Sequence, residues 1–278
     1  MSVRNHLVVG IKGTIGSALF NHLRLLAQTT GDSVWGTTHK EEVVKQPQIF
    51  HLNLLDSSAS KLPDERMDVA YLCAGVCKMA LCENDPAGTY KANVEGMAAL
   101  ARRLSDAGAF IVYVSTNQVF SGDEPYVLPD APYRPLNEYG RQKSQIETLI
   151  RTYCPRSSIV RLTKVIEPEM PLIKNWIDLL TRHQPVQSFH DMMLAPVTLR
   201  QVIDVLVKVG QKQQPGCYQV SGAEDVSYYA LACYLAQQLD RPLSLVQSLS
   251  AMDAGIKKSF LPRFTTLNCS STITLGGE

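Results

Sequence analysis

Through the first two-thirds of the chain, short apolar β-branched runs alternate with amphipathic ones. Val3–Val9 is apolar and ends at Gly10, and Gly16–Ala27 then carries Ala18, Leu19, Leu23 and Leu26 at helical spacing. Val34–Thr37, Ile49–Leu52 and Val69–Ala74 read as the second, third and fourth strands, and an irregular cysteine-rich loop follows the last of them. Asn84–Ala107 reads as one long helix opening on Asn-Asp-Pro, a cap and a first turn. Phe110–Ser115 is a strand, Leu136–Tyr153 a helix and Ser158–Leu162 another strand. Strands of continuous apolar character that alternate with helices predict an α/β fold, a doubly wound parallel sheet covered on both faces. Ligands of such sheets sit at the carboxyl ends of the strands. Gly10, Thr37, Cys73, Thr116 and Thr163 fall at predicted strand ends and are expected on one rim.

After about residue 165 the pattern changes. Pro168, Pro171, Pro185, Pro196 and Pro215 divide the chain into shorter pieces, with helices predicted at Leu172–Arg182, Leu199–Val209 and Tyr228–Leu239. Gly216–Val220 reads as a late strand returning to the sheet. Residues 1–165 are thus expected to form the main domain, with a strand from 216–221, and 166–278 mainly a small interleaved cap over the strand rim. A chain of 278 residues is near the size at which a second lobe appears. Its net charge of +1 argues against a nucleic-acid tract or an anionic membrane surface as partner, so any anionic ligand must be held by local groups. Seven cysteines, an odd number in a chain too large to need staples, favour reduced thiols. With no signal-like N-terminus and no 18-residue apolar run, the protein is expected to be cytoplasmic.

Gly10-Ile-Lys-Gly13-Thr-Ile-Gly16 joins the first strand to the first helix. Glycines permit the tight turn, and the amides around Gly13, Thr14, Ile15 and Gly16 open a helix whose dipole favours an anion. A dinucleotide pyrophosphate suits such a turn, although the spacing is wider than the common Gly-x-Gly-x-x-Gly and a ligand-free glycine turn is the alternative. At the second strand's end, Val34-Trp-Gly-Thr-Thr-His-Lys40 offers no carboxylate for ribose hydroxyls before Glu41. Thr37, His39 and Lys40 suit a 2′-phosphate, which favours NADP over NAD; His39 and Lys40 as plain loop residues are the other reading.

Glu138-Tyr-Gly-Arg-Gln-Lys143 places Tyr139 and Lys143 four apart, on one helix face. An ammonium beside a phenol lowers the phenol's pKa from about 10 toward a range useful for proton transfer. Thr116 or Ser115 is then a candidate to polarise a substrate carbonyl. Glu147 extends the row and is expected to pair with Lys143 or Arg151, and such a row is also what a solvated helix face looks like.

These pieces together resemble the extended short-chain dehydrogenase/reductase superfamily, and within it the dTDP-4-dehydrorhamnose reductase group. Ser115-Thr-Asn-Gln-Val-Phe-Ser-Gly122, Asn137-Glu-Tyr-Gly-Arg-Gln-Lys143, Ala195-Pro-Val-Thr198, Gly216-Cys-Tyr-Gln-Val-Ser-Gly222 and Leu261-Pro-Arg-Phe-Thr-Thr-Leu-Asn-Cys269 carry the resemblance. It implies a Rossmann-type NAD(P) domain with a small C-terminal substrate domain, reduction of a keto group on a nucleotide-linked sugar, and a possible homodimer through helices 84–107 and 136–153. It assigns Thr116, Tyr139 and Lys143 as the catalytic triad, with Lys143 also on the nicotinamide ribose. By the same resemblance Asn53 and Leu54 lie beside adenine, Cys73, Ala74 and Gly75 near the cofactor ribose, and Asn93 in a structural role.

Two departures fall where substrate is expected. Val76-Cys-Lys-Met-Ala-Leu-Cys-Glu83 lacks the group's loop character, and Asn117 stands in place of Asp. Cys77, Lys78, Asn117 and Gln118 are therefore the candidate substrate contacts. The alternatives are an epimerase or dehydratase that retains NAD, and a silent regulatory subunit such as the methionine adenosyltransferase beta subunit, to which the resemblance extends. Cys73, Cys77 and Cys82 lack a histidine partner and metal-site spacing, so no metal is expected. His183 and His190 read as surface residues and Trp176 as packing. Arg161 and Lys164, at the end of the sixth strand, are candidates for a substrate phosphate or for a solvated loop.

Overall fold

The computed structural model describes residues 3–40, 47–56 and 61–273. Seven strands form one sheet: β1 (Asn5–Val9), β2 (Ser33–Thr38), β3 (Ile49–His51), β4 (Val69–Leu72), β5 (Phe110–Thr116), β6 (Ser157–Leu162) and, after four short strands outside the sheet, β11 (Gly216–Val220). Their order is β3-β2-β1-β4-β5-β6-β11, and every neighbouring pair is parallel. The chain runs outward from β1 to β2 and β3, then crosses back to β4. That reversal leaves a crevice between the carboxyl ends of β1 and β4, where doubly wound sheets bind ligands.

Strand pleating sends alternate residues to opposite faces. Val8, Tyr71 and Val112 pack on one side with Leu19, Phe20 and Leu23 of α1 (Thr14–Thr30), and with Val202, Ile203 and Leu206 of a later helix, Leu199–Lys212. Leu7, Val9, Leu72 and Ile111 pack on the other side with Met97, Leu100 and Leu104, and with Ile146 and Ile150 of Glu138–Tyr153. Both faces are covered, as continuous apolar strands require.

The expected long helix over 84–107 is interrupted. The cysteine-rich loop contains α2 (Met79–Asn84), followed by α3 (Pro86–Tyr90), a π-turn (Lys91–Gly96) and α4 (Met97–Asp106). Asp85 caps α3, its carboxylate accepting from Gly88 N at 2.9 Å, with Pro86 in the first turn. At Gly96 a Cβ would collide with the Leu54 carbonyl, so the π-turn lies directly on the chain after β3. Next come α5 (Glu138–Tyr153), β7 (Lys164–Ile166), α6 (Pro171–Thr181), β8 (Val186–Phe189), β9 (Met193–Leu194), β10 (Pro196–Thr198) and α7 (Leu199–Lys212). After β11 the chain ends with β12 (Val226–Ser227), α8 (Tyr228–Gln238), β13 (Val246–Leu249) and α9 (Ser270–Ile273). β7 pairs with β10, β9 with β12 and β8 with β13. A third apolar cluster lies wholly within these later residues, among them Ile173, Trp176, Leu194, Leu231 and Val246. Trp176 is buried there, edge-on to Tyr228. Among the described residues, no helix is long and apolar enough to cross a membrane.

At the opposite end of β1 from the crevice, His6 is buried, with Nε2 3.5 Å from Asp32 and Nδ1 without a partner. Burial pulls its imidazole below the ordinary 6.5, against the upward pull of Asp32 and Asp68 and with a smaller downward push from Arg4. The unfolded chain therefore binds the proton more readily than the native one. Stability from this site is complete above pH 6.5 and falls as pH drops below it. Urea midpoints measured from pH 8 to 5.5 should decline below that point, and His6→Gln should flatten the decline.

Candidate active site

The glycine turn follows from close packing. Gly10 has φ 92°, and a Cβ on it would lie 2.8 Å from that of Ala74, at the neighbouring strand end. A Cβ on Gly16 would collide with the Gly10 carbonyl, so the first turn of α1 lies against the loop. Gly10 N donates to Thr37 O at 3.1 Å, which ties the turn to β2. Gly13 caps α1 with no side-chain hydrogen bond, and the first turn holds no acidic residue. A Cβ on Gly13 would find no atom nearer than 3.6 Å, so the turn is bare on that side. Thr14 and Ile15 begin the helix there. Uncapped amides, a helix N-terminus and an unobstructed approach fit the pyrophosphate of a dinucleotide.

Thr37 and Thr38 are buried at the end of β2, while His39 and Lys40 beyond them are exposed. Glu41, the first carboxylate after that strand, lies outside the described residues. Asn53 accepts from Leu55 N at 3.0 Å in a turn that precedes Leu54. Cys73 and Ala74 follow β4 across from the glycine turn, and Gly75 comes next with φ 149°. Burial pushes the Cys73 thiol up to about 12, with the Lys143 ammonium opposing.

On α5, Asn137 caps the helix by accepting from Gly140 N at 2.8 Å and donates to Gln118 Oε1 at 2.9 Å. Lys143 is buried, and its ammonium donates to the Tyr113 hydroxyl and to Val114 O, each at 2.9 Å. It also lies 5.9 Å from the Tyr139 ring centre. The phenol and the ammonium thus share one face of α5, directed at the carboxyl end of β5. The pKa expectation needs correcting. Burial raises the Tyr139 phenol above its ordinary value; Lys143 opposes this, and the Cys77 thiol beside it adds to the rise. Desolvation outweighs the ammonium, so Tyr139 stays protonated at neutral pH.

Thr116 and Tyr139 line a cleft of about 270 Å³ together with Cys77, Asn117 and Gln118. Its far wall comes from Thr163, Lys164, Met192–Leu194, Tyr228, Phe260, Pro262 and Thr265. Lys78 is not in that wall; it stands exposed at the start of α2, and Met79 takes the place beside Cys77. The loop carrying Cys77 is fixed from beneath. Asn93 accepts from Val76 N at 2.7 Å and donates to Val76 O and to Gln142 Oε1. Gln142 reaches Glu138 and Thr89 at 2.9 Å each, and Glu83 accepts from Glu138 N at 2.7 Å. The role expected of Asn93 is consistent with this network.

Three further expectations fail. Ser115 does not face the cleft: its hydroxyl donates to Glu147. Glu147 pairs with neither Lys143 nor Arg151, and its helix face is not solvated. It is fully buried and accepts a fork of bonds from Arg161, the shortest 2.7 Å, plus one from the Tyr133 hydroxyl at 2.8 Å. Arg161 is therefore no phosphate ligand. Its guanidinium lies over the Phe120 and Tyr133 rings and donates to Pro129 O and Gln219. The residue missed by sequence reasoning is Tyr113, whose hydroxyl positions Lys143. In a strand of apolar residues it reads as core, and only the register of β5 against α5 brings it to the lysine.

Comparison with known proteins agrees with this architecture. Among curated relatives, methionine adenosyltransferase 2 subunit beta of Bos taurus is 24% identical over 98% of this chain and 83% of its own. The probable low-salt glycan biosynthesis reductase Agl14 of Haloferax volcanii is 23% identical over 95% of this chain and 89% of its own. The crystal structure of dTDP-4-dehydrorhamnose reductase from Bacillus anthracis in complex with NADP superposes with a TM-score of 0.81 at 19% identity, covering 99% of this chain and 94% of that one. The model of the RmlD substrate binding domain matches residues 4–277, and the chain belongs to that family, within the extended short-chain dehydrogenase/reductase superfamily.

Proposed function

We propose that this chain is an NADPH-dependent reductase of a keto group on a nucleotide-linked sugar or similar polar substrate. The single observation that carries the reading is Tyr139, Thr116 and the tethered Lys143 converging at one strand end beside an open cleft. A volume of about 270 Å³ falls just under the roughly 300–1,000 Å³ of pockets that hold a whole ligand, so the cleft suits the reacting end of a substrate. Thr116 donates a hydrogen bond to the carbonyl oxygen, and Tyr139 delivers a proton to it. Lys143, held by Tyr113 and Val114 O, keeps a positive charge beside the oxygen as it becomes anionic. A bound nicotinamide dinucleotide supplies the hydride, and the turn from Gly10 to Gly16 would hold its pyrophosphate. The raised phenol pKa suits the reductive direction, in which Tyr139 must start protonated.

The test is NADPH consumption by the purified protein over a panel of keto-sugar nucleotides that includes dTDP-4-dehydrorhamnose. Turnover that Tyr139→Phe abolishes supports the reading, and turnover that survives the substitution rejects it. A second reading, a binding subunit without turnover, is favoured by the full-length likeness to methionine adenosyltransferase 2 subunit beta. NADPH binding without consumption across the panel, together with a stable protein partner, would select it.

NADP rather than NAD is the proposed cofactor because His39 and Lys40 are exposed just past β2. Loss of a charge-assisted bond to a 2′-phosphate is worth about tenfold or more. Lys40→Ala should raise the Kd for NADPH by that factor and leave NADH unchanged, as read by fluorescence titration. Equal losses for both nucleotides would remove the preference.

A further inference from the structure

Among the described residues, Lys164 is the single charged one lining the cleft, and no carboxylate lines it. It opens β7 immediately beyond Thr163, with Thr163 Oγ1 fixed on Ala195 O at 2.7 Å. Its backbone is held by pairing of β7 with β10, and Met192 and Tyr228 line the same cleft. Among the described residues its ammonium has no hydrogen bond and no ion pair. The neighbouring Arg161, by contrast, is committed to Glu147, Pro129 O and Gln219. Lys164 is exposed at the mouth of the cleft, and the protein packed around it lowers its pKa, with no other charge contributing.

A cation with no counter-ion, standing at the edge of a cleft otherwise lined by uncharged side chains, is complemented by an anion. We infer that Lys164 is the anion anchor of this cleft and that the substrate carries a carboxylate or phosphate which pairs with its ammonium. This rests on the cleft being the substrate site, and deepens that reading by naming the residue that holds the substrate's anionic group. The methionines and Tyr228 then pack the uncharged part of the same molecule. The anchor distinguishes substrates by charge, and Thr116 and Tyr139 act on the carbonyl.

Titration calorimetry at low salt, in the presence of saturating NADP, tests the assignment with two probes. UDP-glucose carries phosphates only; UDP-glucuronate carries the same phosphates and a carboxylate. Lys164→Ala should weaken binding of an anchored probe by about ten- to a hundredfold, and Lys164→Arg should retain most of the affinity. Equal loss for both probes places the diphosphate on Lys164. Loss of only the extra affinity of UDP-glucuronate places the carboxylate there. Unchanged affinities in Lys164→Ala, or no binding of either probe by the wild type, overturns the inference. Because the readout is binding, it separates from the reductase reading. Lys164-dependent binding without NADPH consumption leaves the anchor standing and the reductase fallen; Tyr139-dependent turnover with a Lys164→Ala variant unchanged in Kd and KM does the reverse.

Discussion

Tyr139→Phe is expected to lower kcat for carbonyl reduction by about 10²–10⁴-fold, the range for loss of a general acid. NADPH affinity should remain, since the phenol is not part of the glycine turn. The substitution removes one oxygen and preserves the ring over which Lys143 sits. Lys143 keeps its bonds to Tyr113 and Val114 O, so a collapse of the site does not account for the loss. The wild type adds a second signature. With burial holding the phenol above its ordinary value, the rate of reduction should stay level through neutral pH and fall only in strongly alkaline solution. A profile falling already between pH 7 and 8 would mean that another group donates the proton. Stopped-assay kcat and KM for both proteins, with circular dichroism as a folding control, decide the matter.

The second large effect concerns stability. Arg161→Ala leaves the Glu147 carboxylate fully buried without its counter-charge. Removing one partner of a buried pair costs about 3–5 kcal/mol, which in a chain of this size lowers Tm by roughly 5–9 °C. The Tyr133 and Ser115 hydroxyls still point at the carboxylate but replace only part of the lost bonding. Glu147→Gln should also destabilise, by stranding the guanidinium between the Phe120 and Tyr133 rings. The double variant should lose less than the sum of the two, because the residues share one interaction. Thermal unfolding followed by calorimetry gives the three values. Additive losses would show that the pair is not coupled.

Much of the frame was legible because it depends on local rules. Apolar runs ending in Gly10, Thr37 and Cys73 gave strands whose ends do lie on one rim, since all seven strands are parallel. Asp85 and Pro86 mark a helix start by their own chemistry. The interruption over 91–96 was hidden, because Gly96 is exceptional only for what lies against it, the Leu54 carbonyl. Side-chain partnerships across long separations were likewise illegible. Glu147 appeared as one more charge on a helical row, yet its partner is a strand residue and its cover is Tyr133 and Ser115. Arg161 and Lys164 looked equivalent three residues apart, but strand pleating and the turn into β7 send one into the core and the other to the cleft. The cleft's far wall joins residues 163–164, 192–194, 228, 260, 262 and 265, which no spacing rule connects.

The most direct measurement is a single turnover with NADPH deuterated at the transferable ring position and a keto-sugar nucleotide, the product read by mass spectrometry. A product alcohol carrying one deuterium at the former carbonyl carbon, formed by the wild type and absent with Tyr139→Phe, is the result this account predicts. An intact ketone beside bound, unoxidised NADPH in the wild type would contradict it.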